Sequence, residues 1–314
     1  MKNRTRRKYI YLGILVVLVF FVKSIYYADV PLEILKDKYA NEVSEFIEIE
    51  GMQVHYRDEG EGFPIVLLHG TAASLHTWDD WAAALNKDYR VIRLDLPAFG
   101  LTGPNTEGDY SIVRYTKFLD NFLGHLNLDE FHLAGNSLGG NIAWNYAVDY
   151  PDKVDKLILV DASGLPTHKS QPWIFKMAKT PILNSLFLRL TPRKIIKKNL
   201  EQVYEDDSKI TDKLVSRYHD MALREGNRRA FIDRAKTDFK LENTIHIERL
   251  KKLKNETLLI WGENDSWIPL ANGKQMHSLI KNSQLRIIKN SGHVPMEENP
   301  KESLSVLNAF LNEH

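Results

Sequence analysis

A serine flanked by glycines is the residue in this chain best suited to act as a nucleophile. Residues 135–140 read Gly-Asn-Ser-Leu-Gly-Gly, with Ser137 at the centre of a Gly-x-Ser-x-Gly pattern. The largely apolar residues 130–134 predict a buried strand, and residues 141–148 predict a helix. At so tight a strand-to-helix turn the serine hydroxyl is exposed, and glycines fit where a Cβ would collide with backbone. The pattern predicts nucleophilic catalysis, and its alternative is a glycine-rich turn with an incidental serine.

A serine hydroxyl is a weak nucleophile and needs a base, which in turn needs an orienting acid. His293 follows a glycine in the loop between the last predicted strand and the last predicted helix. Asp265 follows the preceding predicted strand, so we expect it to lie beside His293. Asp161, after another predicted strand, is the alternative acid. The chain order serine, aspartate, histidine differs from that of the chymotrypsin-like and subtilisin-like proteases.

Acyl transfer also requires hydrogen-bond donors for the developing oxyanion, each worth about 3 kcal/mol. The backbone N–H of Leu138, directly after the serine, is the first expected donor. The second is expected from the loop that follows His69 and Gly70, at Thr71. His69 itself is interpreted as a structural residue beneath that loop.

Strands that alternate with helices from about residue 45 predict a parallel sheet covered on both faces. In such sheets functional residues collect at the carboxyl ends of the strands, where the candidates above all lie. Residues 164–250 interrupt the alternation and read as several amphipathic helices. We therefore predict a core formed by residues 45–163 and 251–314, with a helical cap inserted between its two parts.

Composition excludes several classes of function. The chain of 314 residues has a formal net charge of +1, which does not favour a nucleic-acid partner. It has no cysteine, which excludes disulfides, thiolate metal sites and a cysteine nucleophile. No metal-binding, phosphate-binding or dinucleotide-binding motif is present. The sequence therefore predicts no metal and no cofactor, and it leaves the oligomeric state open.

The N-terminus predicts a membrane anchor. Residues 1–27 combine a basic cluster with an apolar run over 9–22 that resumes at residue 25. A span needs about 20 apolar residues, which is reached if Lys23 extends to the interface. A cleaved signal peptide is the alternative, although no small-x-small cleavage site is apparent. The positive-inside rule places the N-terminus in the cytoplasm and the catalytic part outside it, after a juxtamembrane linker helix in residues 28–44.

The motifs together resemble the α/β-hydrolase superfamily. The resemblance rests on residues 68–71 (Leu-His-Gly-Thr), 95–100 (Asp-Leu-Pro-Ala-Phe-Gly), 135–139, 262–265 (Gly-Glu-Asn-Asp) and 292–293 (Gly-His). With its N-terminal run the chain is similar to Moraxella-type lipases and esterases. The resemblance implies an eight-stranded sheet, a catalytic triad of Ser137, Asp265 and His293, and cofactor-independent hydrolysis of carboxylic esters.

We therefore expect a membrane-anchored serine hydrolase that cleaves acyl esters, with small-molecule or lipid esters as substrates, through an acyl-enzyme. Two alternatives stay open. Asn136, before the serine, also occurs in carbon–carbon bond hydrolases of ring-cleavage pathways, which use the same triad. A non-catalytic scaffold with this fold is the other alternative, although such proteins usually lose a triad residue.

Overall fold

An eight-stranded sheet forms the centre of the protein, in a computed structural model that describes residues 2–166, 172–237 and 243–313. The strands are β1 (Ser44–Ile49), β2 (Met52–Glu59), β3 (Phe63–Leu68), β4 (Tyr89–Leu94), β5 (Phe131–Asn136), β6 (Val154–Val160), β7 (Glu256–Gly262) and β8 (Ser283–Ile288). Their spatial order is β1-β2-β4-β3-β5-β6-β7-β8. Strand β2 is antiparallel to β1 and β4, and the other pairs are parallel.

The helices that precede or cover the sheet come from the segments between strands. They are α1 (Lys2–Ile25), α2 (Leu32–Tyr39), α3 (Asp79–Leu85), α4 (Ile112–His125), α5 (Leu138–Asp149), α6 (Trp173–Lys179), α7 (Pro181–Phe187), α8 (Arg193–Val203), α9 (Asp212–Leu223), α10 (Asn227–Lys236), α11 (Asn243–Leu250), α12 (Leu270–Leu279), α13 (Pro295–Glu298) and α14 (Pro300–Leu311).

Two hydrophobic clusters lie on opposite faces of the sheet, because successive strand residues point to opposite sides. In β3, Val66 and Leu68 belong to the cluster that includes α4 and α5. Ile65 and Leu67 belong to the cluster that includes α3 and α14. Each fully buried aliphatic side chain contributes about 1.5–3 kcal/mol to stability. The prediction of an eight-stranded, mostly parallel sheet with helices on both faces is confirmed.

Helix α4 illustrates how sequence determines these layers. Ser111 precedes it as the N-cap, and its Oγ accepts a hydrogen bond from the Arg114 backbone N–H at 3.2 Å. Tyr115, Leu119 and Phe122 recur at helical spacing, and all three are buried against the sheet. The cap residue and the apolar stripe thus fix both the start of the helix and its buried face.

Helices α6–α11 lie between β6 and β7, within the segment predicted as a cap. Helix α8 buries Leu200 and Val203 in one cluster, and α10 buries Phe231 in the other. Residues 167–171 and 238–242 of the predicted cap lie outside the described residues. The division into core and cap domains stays a prediction.

The segment before β1 packs on the helices of this insertion. The Tyr27 N–H donates to the Arg189 carbonyl at 2.9 Å, and the Val30 N–H donates to the Leu223 carbonyl at 2.7 Å. Asp29 accepts from Arg228 Nε at 3.1 Å. These contacts connect the N-terminal segment to the loop before α8, to α9 and to α10. The contact with Asp29 also fixes the position of Arg228, which lines a cavity near the candidate site.

The predicted membrane anchor is not supported. Among the described residues, none of the helices has the length and apolar character needed to cross a bilayer. The apolar run of α1 ends at Lys23, and the run over 9–22 alone is shorter than the about 20 residues of a span. The predicted topology depended on that anchor and stays a prediction. Within the predicted linker, α2 forms a helix of 8 residues.

Candidate active site

Ser137 lies at the turn between β5 and α5, as the sequence predicts. Its backbone has φ 53° and ψ −111°, a strained conformation that costs a non-glycine residue about 1–3 kcal/mol. A Cβ on Gly135 would lie 2.3 Å from the Gly139 carbonyl carbon, and one on Gly139 would lie 2.2 Å from the Leu68 oxygen. The two glycines therefore permit the close approach of β5, α5 and β3 that presents Ser137 at the end of the sheet.

His293 and Asp265 form a buried pair at the ends of β8 and β7. The histidine Nδ1 lies 2.7 Å from Asp265 Oδ2, and Asp265 Oδ1 accepts from the backbone N–H groups of Trp267 and Ile268. His293 Nε2 is buried and has no hydrogen-bond partner among the described residues. Because Asp265 holds Nδ1 as the donor, Nε2 is left as the acceptor that a general base requires.

Ser137 and His293 line the same cavity, together with Thr71. A second, larger cavity has walls formed mainly by apolar residues of the core and of α6–α10. The two cavities share the lining residues Ala72, Ala73, Asn199 and Tyr218. The two cavities are therefore adjacent, and a substrate in the second cavity could extend past these shared residues to Ser137.

The loop after β3 carries the second expected oxyanion donor. The backbone N–H of Thr71 makes no hydrogen bond within the described part of the chain. The N–H of Leu138 opens helix α5, where it has no intrahelical acceptor. Both groups are thus free to bind an oxyanion beside Ser137.

His69 supports this loop from beneath. Its Nδ1 donates to the Gly70 carbonyl at 2.7 Å, and its Nε2 accepts from the Leu96 N–H at 2.9 Å. Burial lowers the pKa of His69 from 6.5, an effect that outweighs the opposing charge of Asp95. The neutral imidazole is therefore a structural link between the Thr71 loop and the loop after β4.

Two residues that position His293 were not predicted from the sequence. The Asn136 side-chain amide donates to the carbonyls of Val160 at 3.1 Å and His293 at 3.0 Å. Glu298 is buried in α13 and accepts from the N–H groups of Gly292 at 2.6 Å and Glu205 at 2.8 Å. The sequence singled out Asn136 only for its occurrence in carbon–carbon bond hydrolases, and no local pattern marks Glu298.

Asp161, Asp265 and His293 present donor atoms within 4.8 Å of one another, and their types are those of a metal site. A metal ligand at His293 Nδ1 would have to break its hydrogen bond to Asp265. The geometry therefore favours a hydrogen-bonded base over a metal centre among the described residues. The expectation of no cofactor stays a prediction.

Comparison with known proteins identifies the family. The profile of the alpha/beta hydrolase fold family matches residues 64–300. The uncharacterized hydrolase YugF of Bacillus subtilis is 30% identical over 262 residues, which is 81% of this chain and 92% of that protein. A 2-hydroxy-6-oxononadienedioate/2-hydroxy-6-oxononatrienedioate hydrolase of Pseudomonas putida is 28% identical over 263 residues, 80% of this chain and 90% of that protein.

Solved structures give a similar result. A point mutant of the meta-cleavage product hydrolase CumD has a TM-score of 0.75 and 27% identity, covering 87% of this chain and 99% of its own. A putative lipase from Acinetobacter baumannii has a TM-score of 0.77 and 25% identity, and the match covers 91% of this chain and 97% of the lipase chain.

The expectation of a carboxylic ester hydrolase is wrong on these findings. Three relatives with a named substrate are hydrolases of 2-hydroxy-6-oxo dienoates, and CumD is a meta-cleavage product hydrolase. They favour the alternative drawn from Asn136, a carbon–carbon bond hydrolase. The physical reason for the error is that a serine triad activates the nucleophile but does not determine which bond of the tetrahedral intermediate breaks. The narrower likeness to Moraxella-type lipases and esterases stays a prediction.

Proposed function

The chain belongs to the alpha/beta hydrolase fold family, and we propose that it is a carbon–carbon bond hydrolase acting on 2-hydroxy-6-oxo dienoates formed by aromatic ring cleavage. The observation that carries the proposal is the match to the Pseudomonas putida dienedioate hydrolase across 80% of this chain. The second support is the buried His293–Asp265 pair: His293 lines the cavity of Ser137, and its Nε2 has no hydrogen-bond partner among the described residues.

The reaction begins with attack on a ketone. In the keto form of such a substrate, Ser137 Oγ adds to the C6 carbonyl while His293 Nε2 takes the hydroxyl proton. The oxyanion that forms is bound by the N–H groups of Thr71 and Leu138. Asp265 stabilises the imidazolium through the Nδ1 hydrogen bond of 2.7 Å.

The carbon–carbon bond breaks next. When the C5–C6 bond of the intermediate breaks, its electron pair is delocalised toward the 2-oxo group as a dienolate, which makes carbon a feasible leaving group. His293 returns its proton to this fragment, and water then hydrolyses the ester on Ser137. One water is consumed, and the products are a carboxylic acid and a 2-hydroxydienoate.

The larger cavity has the chemistry that such a substrate requires. Its apolar lining, which includes Phe99, Phe187 and Phe231, suits the hydrocarbon part of a dienoate. Arg228 is buried in the wall of this cavity and carries a positive charge suited to the carboxylate. Asp29 accepts from its Nε and Nη2, and Thr191 Oγ1 lies 3.5 Å from Nη1, which leaves two of the five guanidinium N–H donors for a substrate.

The test uses 2-hydroxy-6-oxo-6-phenylhexa-2,4-dienoate with the purified full chain. We expect wild-type turnover to benzoate with a kcat/KM above about 10⁴ M⁻¹ s⁻¹. Ser137→Ala should reduce kcat by at least about 10⁴-fold. Ser278→Ala, which changes an exposed serine of α12, should match the wild type. Wild-type protein that leaves this dienoate and its aliphatic analogues unchanged would refute the proposal.

A further inference from the structure

A second carboxyl group lies next to the His293–Asp265 pair, and the proposed mechanism does not use it. Asp161 follows β6 and is fully buried. One of its oxygens lies within 4.8 Å of donor atoms on both Asp265 and His293. Two carboxyl groups this close and both buried cannot both be ionised at modest energetic cost. One of them must therefore hold a proton near neutral pH.

The hydrogen bonds indicate which carboxyl group is charged. Asp265 accepts three hydrogen bonds, from His293 Nδ1 and from the N–H groups of Trp267 and Ile268. Asp161 Oδ1 accepts one, from the Gly262 N–H at 3.0 Å. Asp161 Oδ2 is buried and has no donor among the described residues. Because accepted hydrogen bonds stabilise the ionised form, the charge belongs on Asp265 and the proton on Asp161.

The other groups around Asp161 reinforce this assignment. Burial raises the pKa of Asp161 well above 3.8, and the charge of Asp265 and then that of Glu298 raise it further. The hydrogen bond from Gly262 acts in the opposite direction but does not reverse the shift. His293 completes the titratable groups of this cluster.

The backbone of Asp161 holds the group in place. Its φ is +43°, in the left-handed region that non-glycine residues seldom adopt, and its N–H donates to the Ile260 carbonyl at 3.0 Å. A side chain kept in a strained position beside a catalytic pair is an observation that calls for a functional explanation.

We propose that Asp161 is a positioning residue that carries a proton, donates a hydrogen bond to Asp265, and can itself become the acid that orients His293 when Asp265 is removed. This inference rests on the roles proposed for Ser137, His293 and Asp265, and it does not depend on which substrate is cleaved. In the intact site Asp161 and Asp265 share one proton, so the two carboxyl groups together carry a single negative charge. Without Asp265, the Asp161 carboxyl ionises, and one of its oxygens lies within 4.8 Å of a ring nitrogen of His293.

The experiment compares Asp265→Ala, Asp161→Asn and the combination of the two in the full chain. The readout is the rate at which a fluorophosphonate probe labels Ser137, which reports nucleophile activation without any assumption about substrate. Asp161→Asn should remain within about threefold of the wild type, because the amide can donate the same hydrogen bond. In Asp265→Ala the labelling rate should fall by about 100-fold or less, because Asp161 replaces Asp265 as the acid that orients His293. The double variant should lose about 10⁴-fold, as expected when no acid orients the base.

The pH profile distinguishes a replacement acid from a merely structural residue. In Asp265→Ala, the labelling rate should fall at low pH as Asp161 becomes protonated. The double variant should not show this fall. A single Asp265→Ala variant as slow as the double variant would overturn the proposal. An Asp161→Asn variant that loses as much as His293→Ala would also overturn it. Failure of the dienoate assay with normal labelling would instead refute only the proposed substrate.

Infrared spectroscopy covers the case in which Asp265→Ala does not fold. At neutral pH the wild-type protein should show the C=O stretch of a protonated carboxyl group in a dry environment. That band should be absent from Asp161→Asn and present in an Asp152→Asn control, which changes an exposed aspartate. A band that persists in Asp161→Asn, or is absent from the wild type, would contradict the assignment of the proton.

Discussion

Two buried histidine–aspartate pairs in this protein have the same geometry and different surroundings. His55 Nδ1 lies 2.7 Å from Asp95 Oδ2, and His293 Nδ1 lies 2.7 Å from Asp265 Oδ2. His55 Nε2 is bonded to Ser44 Oγ at 3.0 Å, whereas His293 Nε2 has no partner within the described ranges. His55 is fully buried and lines neither of the two cavities, whereas His293 lines the cavity of Ser137, so only the second pair is placed to exchange a proton with a bound substrate.

The Asp95 carboxylate also stabilises the loops around it. Its oxygens also accept from the backbone N–H groups of Leu75 and Leu101 at 2.8 Å, which connects two loops. Burial raises the pKa of Asp95, but its interaction with His55, which includes a hydrogen bond, outweighs that effect, so the pKa is lowered. Every partner of Asp95 thus stabilises a fixed arrangement of the loops that flank the site.

The largest expected contrast between the pairs is in catalysis. His293→Ala should lower the rate of Ser137 labelling by about 10⁴-fold, because it removes the base. Its free energy of unfolding should change by less than about 2 kcal/mol, measured by urea denaturation. His55→Ala should give the reverse, with near-normal labelling of the folded protein and a larger loss of stability. Equal losses of activity in both variants would contradict the distinction.

The next largest effect is the stability lost when the structural pair is broken. Asp95→Ala should cost about 3–5 kcal/mol, because the N–H donors of Leu75, Leu101 and His55 would be buried without an acceptor. Urea denaturation measures the loss, and Asp152→Ala at an exposed site should stay within about 0.5 kcal/mol of the wild type. A loss below about 1 kcal/mol for Asp95→Ala would show that the pair is not a structural support.

The smallest effect is a pH dependence that separates the two aspartates. The pKa of Asp161 is raised in the folded state, so its contribution to stability is fully present below pH 3.8 and is lost as pH rises toward that raised pKa. Asp161→Asn has no such group, so its stability relative to the wild type should increase as pH rises from 4. Denaturation at several pH values tests this, and a difference independent of pH would contradict it.

The pH dependence of Asp95 should have the opposite sign. Because its folded-state pKa is lowered, the stability it contributes is present above 3.8 and lost as pH falls through that lowered value. Asp95→Asn should therefore approach the wild-type stability under acid conditions, where the wild type loses this contribution.

The sequence predicted the site residues to the extent that local patterns encode them. Ser137 lies in a five-residue motif, and Asp265 and His293 each follow a predicted strand, so a parallel sheet was enough to predict their proximity. The hydrogen bond that the Glu205 N–H donates to Glu298 joins residues 93 apart and has no local signature. The central strands were predictable because β3 and β7, for example, read as short apolar runs, which is how strands buried on both faces appear.

One prediction was wrong and another is not supported, and both outcomes have physical reasons. The anchor was predicted from an apolar run that is too short unless Lys23 lies at the bilayer interface, a condition that the sequence does not guarantee. The ester was predicted from a triad, and a triad fixes the attacking atom but not the leaving group. The leaving group depends on the cavity and the substrate, which are shaped by residues from separate helices such as Phe187 and Arg228.

The central claim is the identity of the bond cleaved, and one measurement tests it most directly. Wild-type protein is assayed with 2-hydroxy-6-oxo-6-phenylhexa-2,4-dienoate and with p-nitrophenyl benzoate, which deliver the same benzoyl group to Ser137. We predict that kcat/KM for the dienoate exceeds that for the ester by at least about 100-fold, although the ester has the better leaving group. A ratio in favour of the ester would contradict carbon–carbon bond hydrolysis as the function of this site.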